Sequence, residues 1–198
     1  MSIQTVPIPV PADVGSVARP MPWSRRLLII VLSVFGLFIS TYILAWVNSS
    51  SLANKFYTSA EAAYLEGRYL DALTGYDSVD PATNTRTSHG GYYQITRLWN
   101  NNGAFPKPAD YTRAVSRIKE IIDQKLDIAS AETFIQMYTG RSQPLFPDVY
   151  LRLGELYEQS GDKQTAVEIY KECAQLFPNR ADITQTARDQ LTRLGATP

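Results

Sequence analysis

The hydrophobic pattern divides the chain sharply. From Leu27 to Val47 the sequence LLIIVLSVFGLFISTYILAWV carries no charged residue. At about 1.5 Å of rise per residue, a helix of this length spans roughly 30 Å, the thickness of a bilayer's hydrocarbon core. Arg25 and Arg26 stop the run on one side, and Asn48, Ser49, Ser50 and Ser51 on the other. Trp23 and Trp46 sit near its ends, where an indole keeps its ring apolar and its N–H wet. The pattern predicts one transmembrane helix over residues 25–48. Inside it, Gly36 and Ser40, with Ser33 nearby, form a small-xxx-small pair that lets another helix approach closely. The run exceeds the roughly 7–15 apolar residues of a cleaved signal, so a retained anchor is expected despite the small residues Ser51-Leu52-Ala53 behind it.

The flanking segments differ in kind. Residues 1–24 contain Pro7, Pro9, Pro11, Pro20 and Pro22, which favour extended chain over helix. This tail is expected either to be disordered or to lie along a partner subunit. Residues 49–198 show helical periodicity, and none of their segments alternates usefully at period two, so an all-α domain is expected. Val149, Leu153, Leu156 and Tyr157 recur at helical spacing, as do Ala166, Val167, Ile169, Tyr170, Cys173 and Ala174. Ser160-Gly161-Asp162 separates these two runs and Pro178 ends the second, which makes a helical hairpin. Gly154 and Ala166 are small enough for the two helices to cross closely, with Tyr157 and Tyr170 filling the space on either side. Upstream, Tyr92–Asn100 reads as a short helix ended by Asn101-Asn102-Gly103, and Ala104–Ala109 as a connector. Asp110 is placed to cap a helix carrying Tyr111, Ala114, Val115, Ile118, Ile121, Ile122 and Leu126. A shorter helix is expected over Ala131–Tyr138.

The pattern Tyr150-x2-Leu153-Gly154-x2-Tyr157, Gly161, Ala166-x3-Tyr170 and Pro178 resembles a tetratricopeptide repeat, whose signature is W-x2-L-G-x2-Y…A-x3-F…P over about 34 residues. Tyr150 and Tyr170 replace one aromatic by another, and Cys173 stands where the family usually has alanine. A weaker copy follows the apolar run at a constant offset of 94 residues: Phe56, Ala60, Ala63, Gly67, Ala72 and Tyr76. Ala63 and the early Pro81 depart from the pattern. The expected layout is a tail at 1–24, the membrane helix at 25–48 and a repeat-like domain at 49–198. That domain divides into a weak repeat at 53–81, an insertion at 82–109, helices over 110–139, the clear repeat at 147–180 and a capping helix at 181–195. In the cap, Ile183, Ala187, Leu191 and Leu194 form one apolar stripe opposite Arg180, Arg188, Asp189 and Arg193.

Charge narrows the function classes. Lysine and arginine balance aspartate and glutamate at 19 each, so no basic field points to nucleic acid. Arg19, Arg25 and Arg26 precede the apolar run against Asp13, whereas Lys55 is the first cation after it. Positive-inside reasoning puts the N-terminus in the cytoplasm and the domain outside it, in the periplasm for a Gram-negative bacterium.

Candidate chemistry is sparse. The one cysteine, Cys173, excludes an internal disulfide and falls on the inner face of a repeat helix, where a buried apolar role is expected. His89, the one histidine, lies in a polar stretch, ATNTRTSHG, expected to be a loop. A metal site needs several such ligands together. Gly90-Gly91 lacks the preceding strand and following Gly-Lys-Ser/Thr of a phosphate loop. Glu155, Glu158, Glu168 and Glu172 are expected on exposed helix faces. No catalytic constellation, metal, cofactor or small-molecule substrate is therefore expected, and the chain is not read as an enzyme. Among the 12 tyrosines, Tyr92 and Tyr93, together with Trp99 and Phe105, fall in the insertion, where they either pack it or anchor a partner.

A repeat stack binds proteins in a groove, and a membrane tether confines it to partners at that membrane. Two functions follow: an accessory or scaffold subunit of a larger membrane complex, or an assembly factor that engages clients transiently. The layout is similar to that of bacterial periplasmic proteins accompanying translocation machinery, an analogy at the level of fold. The tail and the aromatic insertion favour the subunit.

Overall fold

A computed structural model describes residues 23–101 and 103–197. The proline-rich tail over 1–22 lies outside these residues. Two compact units divide at Ala45/Trp46. The first consists, in its described part, of the apolar portion of helix α1 (Trp23–Leu65), whose outward side chains include Leu37, Phe38 and Leu44, each at least 70 % exposed. Ser40 donates its hydroxyl to the Gly36 carbonyl at 2.8 Å, satisfying that side chain within its own helix.

Helix α1 corrects one expectation. It does not end with the apolar run at residue 48 but continues for 43 residues to Leu65. Asn48–Ser51 end the hydrophobic stretch, not the hydrogen-bonded ladder. Serine and asparagine cost only a few tenths of a kcal/mol each in a helix interior. Beyond them Ala53, Ala60 and Ala63 are fully buried, so tertiary packing holds the extension. The helix stops at Gly67, whose φ of 76° only glycine adopts without strain.

The second unit is helical apart from one hairpin. Helix α2 (Tyr69–Thr74) is followed by strands β1 (Tyr76–Val79) and β2 (Arg86–His89), paired antiparallel with Tyr76 opposite His89. The stretch expected to be a polar loop over 82–90 thus contains a strand, and His89 belongs to it. The four-residue strands are too short to show period-two alternation, and cross-strand polar pairs hold them: Asp77 accepts from Ser88 and Arg86. Gly90 and Gly91 follow because nothing larger fits. A Cβ on Gly90 would lie 2.1 Å from Phe56, and one on Gly91 2.4 Å from the Gly75 nitrogen.

Helices α3 (Tyr92–Trp99), α4 (Ala109–Glu120) and α5 (Ile128–Tyr138) come next. Helix α4 starts one residue before the proposed cap: Pro108 precedes it, and Asp110 sits in the first turn, paired with Arg113. A π-helical turn over Ile121–Lys125 continues α4 and keeps Ile121 and Ile122 buried. Val115, assigned to the apolar stripe, points outward. Asp127 caps α5 by accepting from the Ser130 N–H at 2.8 Å, which starts that helix three residues before Ala131.

Helices α6 (Phe146–Ser160), α7 (Lys163–Leu176) and α8 (Ala181–Arg193) close the chain. One core runs from Ala53 through Trp99, Ile121 and Phe134 to Val149 and Ile169. A second gathers Ala166, Tyr170, Cys173, Ile183, Ala187 and Leu191, and Tyr150 and Tyr157 touch both. Helices α6 and α7 cross closely at Gly154. Tyr170, fully buried, lays its ring on this glycine, and a Cβ there would stand 2.6 Å from the ring. Gly154→Ala should therefore destabilise the chain by about 1 kcal/mol: overpacking costs about 2 kcal/mol at the middle of its usual range and outweighs the roughly 1 kcal/mol that alanine gains in helix propensity. Urea titration of the detergent-solubilised protein checks this, and an unchanged midpoint would mean that the Tyr170 ring gives way freely.

Candidate protein-interaction surface

The hairpin of α6 and α7 is built as its spacing predicts. Gly161 ends α6 at φ 91°, and Asp162 opens α7 by accepting from the Thr165 N–H at 3.1 Å. Leu153, Gly154, Ala166 and Tyr170 are buried, while Tyr150 and Tyr157 are half-buried and anchored by their hydroxyls to Glu172 and Glu132. Pro178 lies outside α7, in the turn before α8. Tyr150, Phe146 and Phe177 pack ring against ring with centroids 5.7–5.9 Å apart. Beside them Arg180 clasps Asp148 through both terminal nitrogens, at 3.0 and 3.2 Å, and also pairs with Asp182. The Arg180 side chain holds the Asp182 carboxyl down at about 2.

Between α6 and α8 lies an open cleft lined by Glu155, Glu158, Gln159, Gln190 and Arg193. Its charges are already paired: Arg193 with Glu158 at 2.6 Å, and Glu155 with Arg152 at 2.8 Å. Glu155 and Glu158 are thus half-buried and engaged, in contrast to the exposed faces expected, whereas Glu168 and Glu172 are exposed. The cleft is polar, and it can recognise a partner's hydrogen-bonding groups but offers no apolar floor.

A second charged cluster joins α1 to α3 and α4. Glu61 accepts from the Tyr92 hydroxyl at 2.5 Å and from Arg117 at 2.6 Å. Arg117 also donates to Glu120 at 2.9 Å, and Tyr64 donates to Glu120 at 2.5 Å. The Arg117 guanidinium covers the Tyr64 ring at 4.2 Å, and Arg113 covers Tyr57 at 4.7 Å. Burial pushes the Glu61 carboxyl up, but the hydrogen bonds from Tyr92 and Arg117 outweigh it and hold its pKa below the ordinary value. Tyr92 is raised by burial and by Glu61. This cluster was not legible beforehand, because its members come from three segments with no shared motif.

The proposed aromatic surface divides. Tyr92 is fully buried and Trp99 is 2 % exposed, so both pack the core and neither is a surface anchor. Tyr93 is half-buried, and Phe105 is 78 % exposed. Gly36 has open space where a Cβ would stand. His89 stacks on Tyr76 at 4.6 Å and shares a hydrogen bond with Ser78, a structural position in the β hairpin. Cys173 is buried, and burial pushes its thiol up to about 12, which suppresses the reactive thiolate. Among the described residues, no group of three His, Cys, Asp or Glu side chains is placed to hold a metal ion.

In the weaker copy, Ala60, Ala63 and Ala72 are fully buried and Gly67 takes a positive φ like Gly161. Tyr76 departs from the pattern: it opens β1, whereas Tyr170 lies within α7. The partner helix α2 has only six residues.

Comparison with known proteins agrees with the hairpin. The tetratricopeptide repeat family matches residues 148–180, the segment formed by α6, α7 and the turn after them. Neither the curated proteins nor the solved structures gave a match. Such repeats serve protein–protein interaction and are typically not catalytic.

The Glu61–Arg117–Glu120 cluster generates a pH prediction. Both carboxyls titrate below their ordinary value of 4.5 in the folded chain, so their stabilisation is complete above that value and is lost as pH falls through the folded pKa values. Arg117→Met should cost about 1–3 kcal/mol at neutral pH and flatten the loss of stability between about pH 5 and 3. Urea midpoints across this range measure both effects. An unchanged acid slope would show that the cluster contributes nothing.

Proposed function

We propose that this chain is a membrane-anchored, non-catalytic accessory or scaffold subunit, which holds protein partners through its repeat-like domain and its transmembrane helix. The observation that carries the anchor is the bare apolar stretch of α1. It is long enough to cross a bilayer, and none of its most hydrophobic window is buried within the chain. Such a surface requires lipid or other apolar helices around it. Gly36 and Ser40 offer a place for a neighbouring helix to come close. Arg25 and Arg26 before the run support an N-terminus in the cytoplasm and a domain on the far side, periplasmic in a Gram-negative cell.

For the domain, the cleft between α6 and α8 supports a defined partner over a series of unfolded clients. A holdase engages exposed apolar segments and needs an apolar groove, whereas Glu155, Glu158, Gln159, Gln190 and Arg193 present hydrogen-bonding and charged groups. This favours a permanent subunit over a transient assembly factor. The buried aromatics of the insertion do not bear on that choice.

Two variants test the proposal in native membranes. Gln159→Trp fills the cleft from an exposed position, and exchange of residues 27–47 for an unrelated apolar segment keeps the tether but removes its specific surface. Each should lower the fraction of the chain that migrates in a large assembly. An assembly factor would tolerate the foreign segment, and full retention of the assembly in both variants would overturn the subunit proposal.

A further inference from the structure

Trp46 is the penultimate residue of the apolar run, at the depth where an indole sits in the bilayer interface. Its Nε1–H donates to the Pro106 carbonyl at 2.8 Å, and its ring stands edge-on to Trp99 with centroids 6.0 Å apart. Trp99 is buried at the end of α3, so the pair gives the turn over 104–107 a fixed position beside α1. Phe105, Pro106 and Lys107 are exposed in this turn, and Phe105, its large apolar side chain, is 78 % exposed. Lys107 follows it, with its ammonium 4.4 Å from the Tyr111 ring centroid. Further along α1 the lining beside Trp46 turns polar: Ser50, Ser51, Asn54 and Lys55 border a shallow groove.

We propose that this turn is a second contact with the lipid bilayer, in which Phe105 enters the interface next to Trp46 and Lys107 meets lipid phosphates. A single exposed phenylalanine is ordinary on a protein surface. What distinguishes Phe105 is its neighbour Pro106, whose carbonyl accepts from Trp46, the indole at the C-terminal end of the apolar run. Phenylalanine and tryptophan partition into the interface, and a neighbouring ammonium adds attraction to phosphate oxygens. Ser50, Asn54 and Lys55 lie one to three helical turns farther on, within about 15 Å of Trp46, and match the hydrated headgroup layer. The contact would hold the domain against the membrane surface. This inference rests on the membrane-anchor proposal above.

The test uses the full chain in phosphatidylcholine vesicles, with Phe105→Cys or Met137→Cys carrying an environment-sensitive fluorophore. Met137, on α5, is 44 % exposed, and buried Cys173 stays unlabelled in the folded protein. Vesicles are first floated at alkaline pH, and fluorescence is then quenched either by a lipid nitroxide at a shallow acyl position or by aqueous iodide. The label at 105 should be quenched by the lipid nitroxide several-fold more than the label at 137 and be shielded from iodide. Equal behaviour of the two labels in floated vesicles would overturn the turn's role and leave the anchor standing. Failure of the chain to float would overturn both.

Discussion

Ala53, Ala60 and Ala63 form a stripe of small, fully buried residues on the C-terminal part of α1, and the second unit is assembled around it. Small side chains let neighbouring elements approach the helix closely, and larger ones fill the flanks. Phe56 rests on Gly90, Tyr57 meets Tyr92 edge-on at 5.7 Å, and Trp46 meets Trp99. The same helix carries the apolar stretch upstream. One element therefore carries two kinds of surface: its first half presents leucine, isoleucine and phenylalanine all round, and its second half presents a narrow alanine face. No loop intervenes between the two.

Polar contacts around this helix give specificity and not bulk stability. Glu61 joins α3 and α4 through Tyr92 and Arg117, and Glu120 closes the circuit through Tyr64. A half-buried ion pair gains little net energy, but loss of one partner strands the other, so the cluster fixes how these helices meet. The repeat hairpin uses the same device. Tyr157 reaches Glu132 on α5, Tyr170 reaches Glu158, and Arg180 ties the start of α6 to the turn before α8. Tyr64, Tyr92, Tyr150, Tyr157 and Tyr170 are accordingly bidirectional, with the ring packed against the core and the hydroxyl on a carboxylate.

The all-α class, the apolar span and the clear repeat were legible in the sequence because each rests on local periodicity. Leu153, Gly154, Ala166 and Tyr170 face inward as their spacing requires, although the Tyr170 ring lies on Gly154 and not to one side of it. Besides the Glu61–Arg117–Glu120 cluster, three features were not legible. Asn48–Ser51 look like a stop, but burial of alanines downstream overrides their weak propensity. Residues 86–89 look like loop, since a two-stranded hairpin this short is held by Asp77, Ser88 and Arg86 across strands and not by alternating apolar residues. Tyr92 and Trp99 look like anchors for a partner, because composition does not reveal that Tyr57 and Trp46, distant in sequence, cover them.

The central claim is that the chain belongs to a larger assembly through a bare apolar helix and a polar repeat cleft. It is tested most directly by gentle solubilisation of native membranes, size separation and mass spectrometry of whatever migrates with the chain. The account predicts one large species containing this chain and the same integral membrane partners at a fixed ratio. A small free pool, or many substoichiometric companions, would contradict it.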